Sequence, residues 1–177
     1  MRLTGIFVLI MAAFIFSNTA IAQPVFPPAG KPEGSAAPAP AAGAQITALT
    51  AAQVAQLLNE AGFPSKVVEN AQHEHWVVTE FWGKDLYAGV TFAGKCENDA
   101  CNVLEIFGNF GKPANVDQAW VNAWNRSKLF AKAVFFPDGT LIFRYDLALF
   151  PSVTPDYVKT SAAVFKVVVS SAADFKP

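Results

Sequence analysis

Two cysteines, Cys96 and Cys101, are the residues whose type and spacing most directly imply chemistry. Glu97-Asn98-Asp99-Ala100 separates them, a polar stretch of the length found at a hairpin tip, where two Cα atoms come within bridging distance. In an oxidising compartment such a pair closes into a staple, with free thiols as the alternative. A loop this short contributes about 2 kcal/mol in the chain-entropy picture. The two-residue spacing of thioredoxin-like redox sites is absent. His73 and His75 would share one face of a strand, but two ligands fall short of a zinc site, so no metal or cofactor is assigned. Gly108-Asn109-Phe110-Gly111-Lys112 lacks the spacing and the Ser/Thr of a phosphate loop and runs into Pro113. No serine sits in a G-x-S-x-G elbow. Asn125 and Arg126 could form a polar site at a helix end, although Asn at that position more often serves the backbone. A catalytic set is missing, and a non-catalytic protein is expected.

Ahead of these residues lies a leader. Arg2, the apolar run from Ile6 to Phe16 and the small-residue end Ala20-Ile21-Ala22 follow the order of a signal peptide over residues 1–22. The apolar run is about half of the roughly 20 residues needed to span a bilayer, so cleavage after Ala22 is expected, with an uncleaved tether as the alternative. The expected location is periplasmic or secreted, with no stable membrane span after cleavage. Residues 23–44 hold six Pro, seven Ala and three Gly, the composition of an extended or disordered spacer. The folded domain is then expected over residues 45–177. Without the leader the chain has 12 basic and 14 acidic residues, and no basic cluster that would suit nucleic acid.

The elements that position the candidate residues follow from local pattern. Thr50 is a helix N-cap ahead of Val54, Leu57, Leu58 and Ala61, one apolar stripe that Gly62 and Pro64 end. Val67-Val68, His75 to Trp82, Leu86 to Phe92 and Val103 to Phe107 have the β-branched and aromatic content of strands joined by short turns, an antiparallel meander. A second helix is expected from Asn115, with Gln118 completing a capping box and Val116, Trp120 and Trp124 on one face. Ala131 to Phe136, the turn Pro137-Asp138-Gly139 and Leu141 to Leu149 spell a hairpin. Thr154-Pro155-Asp156 opens a last helix expected to reach Phe175, in spite of the strand-favouring Val167-Val168-Val169. The fold class is α+β: an antiparallel sheet, meander plus hairpin, packed with three helices in the order α-β-β-β-β-α-β-β-α.

With that order, the chain resembles the YbjN family, described as bacterial sensory transduction regulators. The residues that carry the resemblance are Leu57-Leu58-Asn59-Glu60-Ala61-Gly62-Phe63, the Cys96 to Cys101 loop, Val121-Asn122-Ala123-Trp124-Asn125-Arg126, Phe135-Phe136-Pro137-Asp138-Gly139 and Tyr145-Asp146-Leu147. Members look like the dimeric type III secretion chaperones in fold, which implies binding of protein segments and brings no catalytic residue.

Aromatic content points the same way. From Gln45 onward there are 12 Phe, 4 Trp and 3 Tyr, and the strand at His75 places large apolar groups on both faces. A sheet with helices on one side cannot hide both sets, so part of the surface is expected to meet a protein or peptide partner or a second copy. Trp76, Trp82, Trp124, Asn125 and Arg126 are the partner-binding candidates. The rival expectation is a carrier of a small apolar ligand, with a pocket enclosed by Trp76, Phe92 and Phe107.

Overall fold

Thr50 opens the first regular element. Its hydroxyl accepts the N–H of Gln53 while the Gln53 side chain accepts the N–H of Thr50, and this reciprocal cap starts helix α1, Ala51–Glu60. The computed structural model describes residues 38–69, 74–84 and 86–176. The leader 1–22, most of the spacer and His73 lie outside the described residues. Ala39, inside the stretch expected as spacer, packs against the core.

Six strands follow the expected order: β1 Ser65–Glu69, β2 His75–Thr79, β3 Tyr87–Glu97, β4 Ala100–Asn109, then helix α2 Gln118–Ser127, β5 Lys132–Phe135, β6 Leu141–Ala148 and helix α3 Pro155–Ser170. They form one antiparallel sheet in the spatial order β1-β2-β3-β4-β6-β5. Val77, Val90, Leu104, Ile106, Phe143 and Leu147 project from one face into a core closed by Val54, Leu57 and Leu58 of α1, Trp120, Val121 and Trp124 of α2, and Val158, Ala162, Phe165 and Val169 of α3. The architecture is therefore α+β, as the sequence implies.

Several boundaries differ from the sequence reading, each for a local reason. Helix α2 starts later than Asn115: the Asp117 carboxylate accepts the Trp120 N–H at 2.8 Å, and Gln118 is instead the first helical residue, bonded to Asn122. The strand expected from His75 to Trp82 ends at Thr79: the Glu80 N–H still donates to the Pro64 carbonyl, the next pair in register, but Pro64 has no N–H to return the bond and the ladder stops there. The β3–β4 hairpin is longer than expected, since Asn98 and Asp99 both adopt positive φ and close it as a two-residue turn. Helix α3 stops at Ser170 and a 3-10 turn, Ser171–Asp174, hands Phe175 back to the rings of Trp120 and Trp124. Local strand propensity of Val167 to Val169 yields to burial of Val169 and Phe165 on one helical face. The Pro137-Asp138-Gly139 turn forms as expected: Gly139 supplies φ 89°, and the Asp138 carboxylate, held below its usual range chiefly by the Thr140 N–H, accepts from both the backbone and the hydroxyl of Thr140.

Both edge strands are clasped by an asparagine from the helix before them. Asn59, at the end of α1, donates to the Ser65 carbonyl at 3.0 Å and accepts the Ser65 N–H at 2.9 Å on β1. Asn125, in the last turn of α2, does the same to Ala133 of β5, at 2.9 and 2.8 Å. The β5 junction is reinforced: the Trp124 indole donates to Ala131 at 2.7 Å, and the Lys132 ammonium caps the carbonyls of Asn125 and Lys128.

Candidate binding surface

Side chains alternate across a strand, so the residues between those of the core face the other way. Val68 and Trp76 on β1 and β2, Val78, Gly89, Phe107 and Arg144 in one cross-strand row, and Tyr87, Asn109 and Ile142 in the next form that second face. No helical residue joins its apolar cluster of Val68, Trp76, Phe107 and Ile142, rimmed by half-buried Val78, Tyr87 and Phe136, among the described residues. The ring of Phe107 lies over Gly89, where an added Cβ would stand 3.2 Å from the ring and 2.2 Å from the Val77 carbonyl. Trp76 meets Tyr87 at 5.3 Å and Phe107 at 6.3 Å between centroids, and Tyr87 meets Phe107 at 5.8 Å. Burial drives the Tyr87 phenol far above its ordinary pKa.

One polar group in this cluster is left over. The indole N–H of Trp76 is buried with no hydrogen-bond acceptor among the described residues, a condition that costs about 1–3 kcal/mol. Beside the rings lie three charges. Arg144 bonds Glu105, its neighbour across β4 and β6, and approaches Asp146 at 3.3 Å. Glu105 and Asp146 are directly opposed in register, and burial raises the Glu105 carboxyl while Arg144 pulls it back and Asp146 raises it further. The face thus offers rings, an unmatched donor and a partly dehydrated ion group.

The candidates named from sequence do not share one surface. Trp76 belongs to the face opposite the helices but is only 6% exposed, packed against Tyr87 and Phe107. Trp82 falls on the helix-covered side: with the strand broken after Thr79 it packs over Gly108 against Phe81, Phe110 and Phe165, and its indole donates to Ser170. Trp124 is fully buried, stacked on Trp120 and edge-on to Phe143 and Phe175, which removes it from any contact surface of the folded chain. Asn125 serves the β5 backbone and Arg126 is exposed at the last turn of α2, so the two do not converge on a polar site. Phe92 pairs with Leu104 and packs on the core side, opposite to Trp76 and Phe107, so the expected apolar pocket is not enclosed by these three. Cys96 and Cys101 are joined as a disulfide across β3 and β4. His75 is exposed at the start of β2, and no group of three or more His, Cys, Asp or Glu is placed to hold a metal among the described residues.

Sequence reasoning missed Tyr87, Gly89, Glu105 and Arg144 as members of one surface. The signal was in the parity of β4, where Leu104 and Ile106 alternate with Glu105 and Phe107.

The fold is of the α+β class, an antiparallel sheet with helices on one face and an aromatic second face, and no helix among the described residues is long and apolar enough to cross a membrane. The chain belongs to the YbjN family, described as "Putative bacterial sensory transduction regulator", whose model matches residues 50–175. Its fold is similar to a crystal structure of YbjN from E. coli, described as "a putative transcription regulator", with a TM-score of 0.52 and 15% identity over 74% of this chain and 96% of that one. No curated protein matches the sequence significantly.

Proposed function

We propose that this protein is an exported, non-catalytic member of its family that holds an extended protein or peptide segment on the face of its sheet opposite the helices, in the manner of a chaperone. The observation that carries this reading is the Trp76–Tyr87–Phe107 cluster on the face of the sheet opposite the three helices, where, among the described residues, no helical residue joins the rings and the Trp76 indole N–H has no acceptor. A backbone carbonyl of a bound segment is the natural acceptor, because an extended chain presents one at every residue, and Val78, Tyr87 and Phe136 at the rim supply apolar contact. Arg144 and Glu105 would set which charges the segment carries nearby.

Export is supported by the signal-peptide order of residues 1–22 and by the Cys96–Cys101 disulfide, which suits an oxidising compartment. A homodimer is supported by Leu129, Phe130 and Tyr157 on the helix side, exposed at 87%, 42% and 46%.

Amide chemical shifts during titration with a fixed panel of extended aromatic peptides test the binding surface. Changes should centre on Trp76, Val78, Tyr87 and Phe107 and disappear in Phe107→Ala; changes confined to the helix side would refute it. Export is tested by the N-terminus of the mature protein, expected at Gln23, and a chain that retains Met1 and stays in the cytoplasm would refute that part.

A further inference from the structure

Cys96 and Cys101 stand directly opposite each other, 4.0 Å apart at Cα, just beyond a register shift in the β3–β4 ladder. They differ in setting: Cys96 is exposed and Cys101 is buried. Both backbone groups of Cys101 face away from Cys96, since its N–H donates to the Leu49 carbonyl and its carbonyl accepts the Leu49 N–H, each at 3.0 Å. The two cysteines therefore form a non-hydrogen-bonded cross-strand pair, with the disulfide as the direct tie between them. Leu49 is fully buried and adjoins Thr50, the cap of α1. Ile46, three residues earlier, makes the same two-bond exchange with Val153, beside the cap of α3. The hairpin end is thereby connected to the starts of two helices through one short segment.

We infer that Cys96 is a thiol-exchange site, and that reduction of its disulfide by a small dithiol releases the hairpin end and loosens the Ile46–Leu49 segment while the rest of the sheet stays folded. The attacking thiolate forms a mixed disulfide with the exposed Sγ of Cys96 and expels Cys101 as thiolate, which takes up a proton. The second thiol of the reductant then attacks its own sulfur in the mixed disulfide, expels Cys96 and leaves as a cyclic disulfide. Two protein thiols are formed and one dithiol is oxidised. Exposure directs the attack to Cys96, because the Cys101 sulfur is reached only after the segment around Leu49 has moved. Loss of the cross-link removes the constraint on the hairpin end, and the exchange with Leu49 is made by the backbone of Cys101, a cross-linked residue itself.

The full chain, without denaturant, is treated with dithiothreitol and followed by hydrogen exchange, and in parallel with glutathione, acid-quenched and mapped by mass spectrometry. Amides of Leu49, Cys101 and the hairpin tip should lose protection about thirtyfold, the scale of a short-loop cross-link, with Val77 and Val90 unchanged. The glutathione adduct should be found on Cys96. A Cys96→Ser, Cys101→Ser double variant should fold and reproduce the exchange pattern of the reduced chain. Resistance to reduction, unchanged exchange at Leu49 and Cys101, an adduct mainly on Cys101, or global unfolding of the reduced chain or the double variant would each overturn the proposal.

Discussion

The two faces of the sheet are built from alternate residues of the same strands and end in opposite states. On the helix-covered face the polar atoms of the large rings are matched: Trp124 donates to Ala131, Trp120 to Phe175 and the half-buried Trp82 to Ser170. On the other face Trp76 is as buried as Trp120, yet its N–H has no acceptor among the described residues, and the charges of Glu105, Arg144 and Asp146 lie on the same face. A group whose hydrogen bond is completed by its own chain stabilises the fold, while a buried group left incomplete is a place where a second molecule can lower the free energy. The contrast separates structural tryptophans from the one suited to recognition, although Trp76 and Trp120 are similarly buried.

The comparison can be broken most readily by truncation. Trp124→Ala should lower stability by about 4 kcal/mol and Phe107→Ala by about 2–3, because the first removes a larger side chain and also leaves the Ala131 carbonyl without its donor. Guanidinium unfolding measures both, and equal losses would make the second face an ordinary core. Gly89→Ala should cost about 1–3 kcal/mol in the same assay, since the new methyl meets the Val77 carbonyl and the Phe107 ring. A neutral result would mean that Phe107 does not rest there. Trp124→Phe and Trp76→Phe delete the same atoms, so their difference isolates the hydrogen bond: the first should be costlier by about 1–2 kcal/mol, because it orphans the Ala131 carbonyl.

The smallest effect concerns pH. Burial leads the shift of Glu105 upward, so its contribution to stability is fully present below the ordinary carboxylate pKa and is lost as pH rises through the raised value. Thermal midpoints of the native chain should therefore fall relative to Glu105→Gln between about pH 4 and pH 7. The opposite trend would show that Arg144 outweighs burial, and that this face is less dehydrated than the rings beside it imply.

What was legible in the sequence was whatever local chemistry decides. Thr50 and Thr154 cap the helices expected of them, Gly139 makes its turn, and the polar gap between Cys96 and Cys101 closes a hairpin. Partition of the aromatics between faces was not legible, because it depends on a contact remote in sequence: Pro64, opposite Glu80, has no N–H to continue the ladder, β2 ends at Thr79, and Trp82 falls on the same side as Phe81. Alternation would have placed those two rings on opposite faces. Asn125 shows the boundary between the two kinds of information. Its service to a backbone could be anticipated from its place near a helix end, whereas the strand it serves, β5, emerges only after the chain has turned through Ala131 at positive φ. Asn59 performs the same service and was read only as part of a helix end.

The paired asparagine clasps bear on how copies of this chain could assemble. A filament grows only from units with two joinable ends, and the β5 end is closed to an incoming strand at Ala131 by Trp124 and at Ala133 by Asn125. Two copies joined through the β1 end beyond Ser65 would present β5 at both extremities, where Trp124 and Asn125 oppose the addition of a further strand at Ala131 and Ala133.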